Sequence, residues 1–116
     1  MSCQVSELKL QEVVNEIKKI RAVNEICLFG SRARKTHKPT SDYDIMVFCN
    51  PFIPISDKTY QRIFKLPKKF DIKFIDDKRY YGDTMWVYDR YDWTEQGTPI
   101  SSEILEDMKS LWKRKR

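Results

Sequence analysis

Apolar residues recur three and four apart at the start of this chain, then crowd into short runs. Leu10, Val13, Val14, Ile17 and Ile20 share one side of a helical wheel, with Glu12, Glu16, Lys18 and Lys19 on the other. That spacing predicts an amphipathic helix from about Ser6 to Ile20. Glu25 to Phe29 is then predicted as a short strand that stops at Gly30, and Asp42 to Cys49 as a second strand ended by Pro51 and Pro54. Between them, Ser31 to Thr36 has room for one or two helical turns before a polar loop through Pro39.

Further on, Ser56 or Asp57 can cap a helix that carries Tyr60, Ile63 and Phe64 and stops before Pro67. In Phe70-Asp71-Ile72-Lys73-Phe74-Ile75 the alternation is strict, so a strand there puts Phe70, Ile72 and Phe74 on one face and Asp71 and Lys73 on the other. Asp77 to Glu95 is read as a helix ending near Gly97, Pro99 to Ser101 as a short strand, and Glu103 to Trp112 as a final helix carrying Ile104, Leu105, Met108, Leu111 and Trp112. This order implies an α/β or α+β fold, a small mixed sheet of three to four strands covered by helices. With no repeat or linker in its 116 residues, the chain is expected to be one domain over 1–116, closed by a basic helix at about 102–116.

Composition narrows the class. With 41% hydrophobic and 34% charged residues the chain reads as a globule rather than a disordered polymer. A net charge of +5 suits an anionic ligand such as a nucleotide. Much of the excess sits in Lys113-Arg114-Lys115-Arg116, which reads as a solvated helix end, so nucleic-acid contact is not favoured. Cys3, Cys27 and Cys49 are odd in number and lack a CxxC, which argues for a reducing compartment, with Cys27 and Cys49 as small buried hydrophobes. His37 stands alone in a polar loop, so zinc is not expected. No apolar run approaches the roughly 18 residues of a membrane span, and a cytoplasmic location without membrane contact is expected. Tyr80, Tyr81, Trp86, Tyr88, Tyr91 and Trp93 crowd one segment, either as half-buried packing or as a partner-binding surface.

The chemistry concentrates in two places. Gly30-Ser31 ends an apolar run, and a turn there can offer backbone N–H groups and a hydroxyl to a phosphate. Asp42 and Asp44 open the next run and point the same way in an extended chain, able to grip one hard cation. If the strand carrying Asp71 lies alongside, three carboxylates gather on one face. Two like charges about 4 Å apart cost on the order of 4 kcal/mol at an effective dielectric near 20. The cluster therefore implies Mg²⁺, two ions fitting best. Asp76 and Asp77 fall beyond the strand and read as loop caps.

Gly30-Ser31, ten intervening residues and Asp42-Tyr43-Asp44 resemble the GS-x10-DxD signature of the DNA polymerase β-like nucleotidyltransferase superfamily. Leu28-Phe29-Gly30-Ser31-Arg32-Ala33-Arg34 and Ser41-Asp42-Tyr43-Asp44-Ile45 are similar to the LFGSxAR and SDxDL segments of its minimal nucleotidyltransferases, found in HEPN–MNT toxin–antitoxin pairs. Phe70-Asp71-Ile72 is similar to the family's third-carboxylate strand, and Glu95-Gln96-Gly97-Thr98-Pro99-Ile100, more weakly, to its EGxxI ending. The resemblance spans roughly residues 8 to 101. It implies a polymerase β-like fold in which Asp42, Asp44 and Asp71 are catalytic and bind Mg²⁺. Gly30 and Ser31 would hold the β- and γ-phosphates of ATP, with Arg34, Ser41 and Lys73 on the nucleotide side. It implies AMP transfer to a tyrosine hydroxyl of a partner HEPN-type toxin. A non-catalytic module that neutralises its partner by occlusion, and transfer to a small molecule or RNA, are the alternatives. Lys35 stands where the family usually has Gly, and Lys73 where it has an apolar residue or Asp.

Overall fold

A computed structural model describes residues 2–49, 63–76, 80–81, 84–89 and 97–115. Helix α1 (Ser2–Ile17) leads into β1 (Val23–Phe29), the one-turn helix α2 (Gly30–Arg34) and β2 (Tyr43–Cys49). Then come β3 (Phe70–Asp76), β4 (Tyr80–Tyr81), β5 (Thr84–Asp89) and β6 (Thr98–Ser101). A 3₁₀ turn (Ser102–Glu106) and β7 (Lys109–Lys113) finish the chain. The seven strands form one mixed sheet, ordered β4-β5-β3-β2-β1-β7, with β6 also paired to β5. β2 runs antiparallel to β1 and parallel to β3; β1–β7 and β3–β5 are antiparallel. The fold is thus α+β, with more strands and, among the described residues, fewer helices than the apolar spacing implied.

Two of the expected helices are strands. Within Asp77–Glu95, the described residues form β4 and β5, because Thr84-Met85-Trp86-Val87-Tyr88-Asp89 is dense in β-branched and aromatic side chains. β5 pairs with β3 through Lys73–Asp89 and Phe74–Tyr88, and with β6 through Thr84–Ser101 to Val87–Thr98. The basic helix expected at about 102–116 is instead the 3₁₀ turn and β7, which pairs along β1. Its apolar residues serve both sides of the sheet: Ile104, Leu105 and Met108 pack against one cluster, Leu111 and Trp112 against the other. Arg114 is not a solvated charge. Its guanidinium donates to the carbonyls of Lys18, Ile20 and Val23 at 2.9, 3.1 and 2.8 Å, fastening the chain after β7 to the turn between α1 and β1.

The main core lies between α1 and one sheet face. Val13, Val14 and Ile17 meet Val23, Ile26, Leu28, Tyr43, Ile45, Val47, Phe70, Ile72 and Phe74, all buried. α1 ends at Ile17, three residues short of the expectation, and Ile20 still packs against this core from the turn beyond it. Cys27 and Cys49 are buried, and burial pushes the Cys27 thiol up to about 12, so it is an unreactive apolar group at neutral pH. Ile63 and Phe64 are helical and the helix stops before Pro67. Pro51, Pro54, Ser56, Asp57, Tyr60, Tyr91, Trp93 and Glu95 lie outside the described residues. No described helix is long and apolar enough to cross a membrane.

Candidate functional site

The opposite sheet face carries the polar chemistry. Alternation along β2 sends Tyr43, Ile45 and Val47 into the main core, and Asp44, Met46 and Phe48 to the other side. β3 alternates in the same sense. Because the two strands run parallel with Asp44 opposite Asp71 and Met46 opposite Lys73, the two carboxylates stand side by side on one face. In β1, Phe29 pairs with Asp44, so the Gly30 turn begins directly beside that carboxylate.

Gly30 is required there for two separate reasons. Its φ is +73°, and a Cβ at this position would collide with the Asp44 carboxyl group. The glycine thus lets the backbone turn close against an acidic side chain, and Ser31 follows at the start of α2. The Ser31 carbonyl closes the turn by accepting from Thr36 N–H at 2.9 Å. Lys35, at the end of α2, is left-handed with φ 61°, so the turn usually made by glycine is kept here by a lysine under strain.

The loop between Ser31 and Asp42 is held by a residue the motif does not single out. Arg32 donates to the Ser41 carbonyl at 2.9 and 3.3 Å and to that of Pro39 at 3.4 Å, and its guanidinium lies 4.0 Å from the centre of the Tyr43 ring. Tyr43 in turn stacks on Phe70, with ring centres 4.9 Å apart. This chain of contacts ties the Gly30 turn to the strands bearing Asp44 and Asp71. The Ser41 hydroxyl accepts from Lys38 N–H at 2.9 Å within the same loop. Arg34 is exposed, and its charge reaches Asp44.

Electrostatically, Asp44 is the focus. Burial holds its carboxyl above the usual carboxylate range, Asp71 and Asp42 raise it further, and Lys73 and Arg34 act in the opposite sense. An all-oxygen set of neighbouring carboxylates with excess negative charge fits a hard divalent cation better than a soft metal. Among the described residues, no three acidic, histidine or cysteine side chains converge as a ready-made metal cage. At Asp71 both carboxyl oxygens lie 3.2 and 3.4 Å from the Lys73 ammonium. Asp89 of β5 lies 3.5 Å from the same ammonium. Reading β5 as a helix hid Asp89; the strand alternation that puts Val87 and Asp89 on one face was the signal available.

Of the residues expected from the sequence, Gly30, Asp44, Asp71 and Lys73 come together on one sheet face, with Ser31 beside them. Asp42, just before β2, is exposed and near enough to act on Asp44. Ser41 and Arg34 border the group.

The nucleotidyltransferase domain family model matches residues 10–85. A Sulfolobus solfataricus protein described as a nucleotidyltransferase, with a crystal structure at 1.40 Å, shares the fold at a TM-score of 0.59. It is 18% identical, and the match covers 98% of this chain and 89% of that one. No curated protein matches the sequence. The match runs from α1 to the start of β5 and contains the Gly30 turn with all three aspartates, and the chain belongs to the nucleotidyltransferase domain family.

Proposed function

We propose that this protein transfers AMP from ATP to a hydroxyl group on a separate protein, a tyrosine of a HEPN-type toxin being the acceptor the motif resemblance favours. The observation that carries the transfer chemistry is the contact of the Gly30 turn with Asp44, which stands opposite Asp71. A triphosphate seated on the turn places its α-phosphate toward the carboxylates. Magnesium held by Asp42 and Asp44, beside Asp71, would neutralise charge at the α-phosphate and lower the pKa of the acceptor hydroxyl. The acceptor oxygen forms a bond to the α-phosphorus while the bond to the β-phosphate oxygen breaks in line. Pyrophosphate leaves, and the hydroxyl proton passes to a carboxylate of the site. The chain's own residues thus orient the phosphates, concentrate negative charge for a cation and receive a proton.

A second reading has its own observation. Lys73 already pairs with the third carboxylate, as it would in a binding module that neutralises its partner by occlusion without catalysis. Label transfer from α-labelled ATP with Mg²⁺ into a lysate of the source organism separates the two. A protein band labelled by wild type and not by the Asp42→Asn/Asp44→Asn chain supports transfer. A double mutant that labels equally well rules out this site, and a partner still neutralised by that mutant in the absence of any labelling establishes occlusion.

A further inference from the structure

Lys73 is built into the acidic face rather than lying across it. Its Cα is set by two strand registers, opposite Met46 of β2 and opposite Asp89 of β5. Alternation along β3 puts its side chain on the face of Asp71. The ammonium lies within 3.4 Å of both Asp71 oxygens and 3.5 Å from Asp89, with the side chain only 24% exposed. Two carboxylates on adjacent strands therefore fix the position of one ammonium group beside Asp44. Its effect extends to Asp44, where Lys73 opposes the influence of Asp71 and Asp42.

Phosphoryl-transfer sites that use two metal ions place them about 3.5–4 Å apart, sharing carboxylates between them. In this chain the third carboxylate, Asp71, already binds an ammonium through both oxygens. A divalent ion at Asp71 would have to displace a paired lysine or sit against its charge. We propose that the Lys73 ammonium occupies the second cation position, so that the nucleotide binds here with one divalent ion, held by Asp44 and Asp42, instead of two. Asp89 is then a positioning residue that keeps Lys73 on Asp71. This inference rests on the nucleotidyl-transfer reading and specifies how its site is charged.

Counting bound Mn²⁺ on the full chain with saturating α,β-methylene-ATP, from the paramagnetic resonance signal of the free ion, tests it without turnover. Wild type is expected to bind one Mn²⁺ per chain, Lys73→Met and a second neutral variant, Lys73→Gln, two, and Lys73→Arg one. Two ions on wild type, or a single ion on both neutral variants, would overturn the inference while leaving the transfer reading intact. A wild-type chain that binds neither nucleotide nor Mn²⁺ would remove both.

Discussion

The two faces of β2 and β3 are built from alternate residues of the same fourteen positions, yet they do opposite work. On one face Tyr43, Ile45 and Val47 meet Phe70, Ile72 and Phe74 beneath α1, all buried and apolar. On the other, Asp44 and Asp71 stand together with Lys73, and only beyond them do Met46, Phe48 and Ile75 rejoin an apolar cluster. The first face stabilises the strands, and that stability holds like charges together on the second. A site that stores electrostatic repulsion needs a rigid floor, and here the floor is the reverse side of the same strands.

Substitutions on the two faces should therefore differ in size, and even in sign. Phe74→Ala, on the packed face, empties a fully buried ring position and should cost about 3–5 kcal/mol, read as a lower urea midpoint. For a domain with roughly 5–15 kcal/mol in total, that is a large fraction. Gly30→Ala combines a left-handed backbone with a Cβ directed at the Asp44 carboxyl, and should cost about 1–2 kcal/mol. Because it also displaces Asp44, nucleotide transfer should fall by more than the stability loss explains; equal losses would mean that the contact is only structural.

Asp44→Asn should have the opposite sign, stabilising the metal-free protein by on the order of 1 kcal/mol at pH 7. The folded state raises the Asp44 pKa, so it binds that proton more tightly than the unfolded chain does. Below the unfolded value of about 4, the carboxyl is protonated in both states and the two proteins should be equally stable. The advantage of Asn should grow as pH rises through the folded pKa and level off above it; unfolding curves from pH 3 to 8 would show this. The smallest effect is expected at Lys35→Gly, which relieves a left-handed lysine and should raise stability by about 0.5–1 kcal/mol.

The site was legible in the sequence because its parts are local. The Gly30-Ser31 turn, the Asp42/Asp44 pair and the alternation of Phe70–Ile75 each follow from neighbouring residues, whereas the parallel pairing that sets Asp44 opposite Asp71 is a long-range contact that the sequence offers only as a condition. Asp89 was not legible, since β5 is a strand only because β3 and β6 offer it partners. The same holds at the C-terminus. Ile104, Leu105, Met108, Leu111 and Trp112 have helical spacing, but they belong to a 3₁₀ turn, the bend after it and an edge strand that packs on both sheet faces. Edge pairing along β1 is a long-range gain that no local window records. Arg114 shows a similar limit: a solvated helix end was expected, but its guanidinium fastens the turn between α1 and β1, at the other end of the chain.

The most direct measurement is the thermal shift caused by Mg²⁺ with α,β-methylene-ATP in wild type and in Asp44→Asn. At about 100 times the dissociation constant, binding adds about 2.7 kcal/mol, a rise of roughly 10 °C for a domain of this size. The account predicts that rise in wild type and its loss in Asp44→Asn, from a baseline melting temperature at least as high. An equal rise in both proteins, or none in wild type, would contradict the assignment of the acidic face as the site of nucleotidyl transfer.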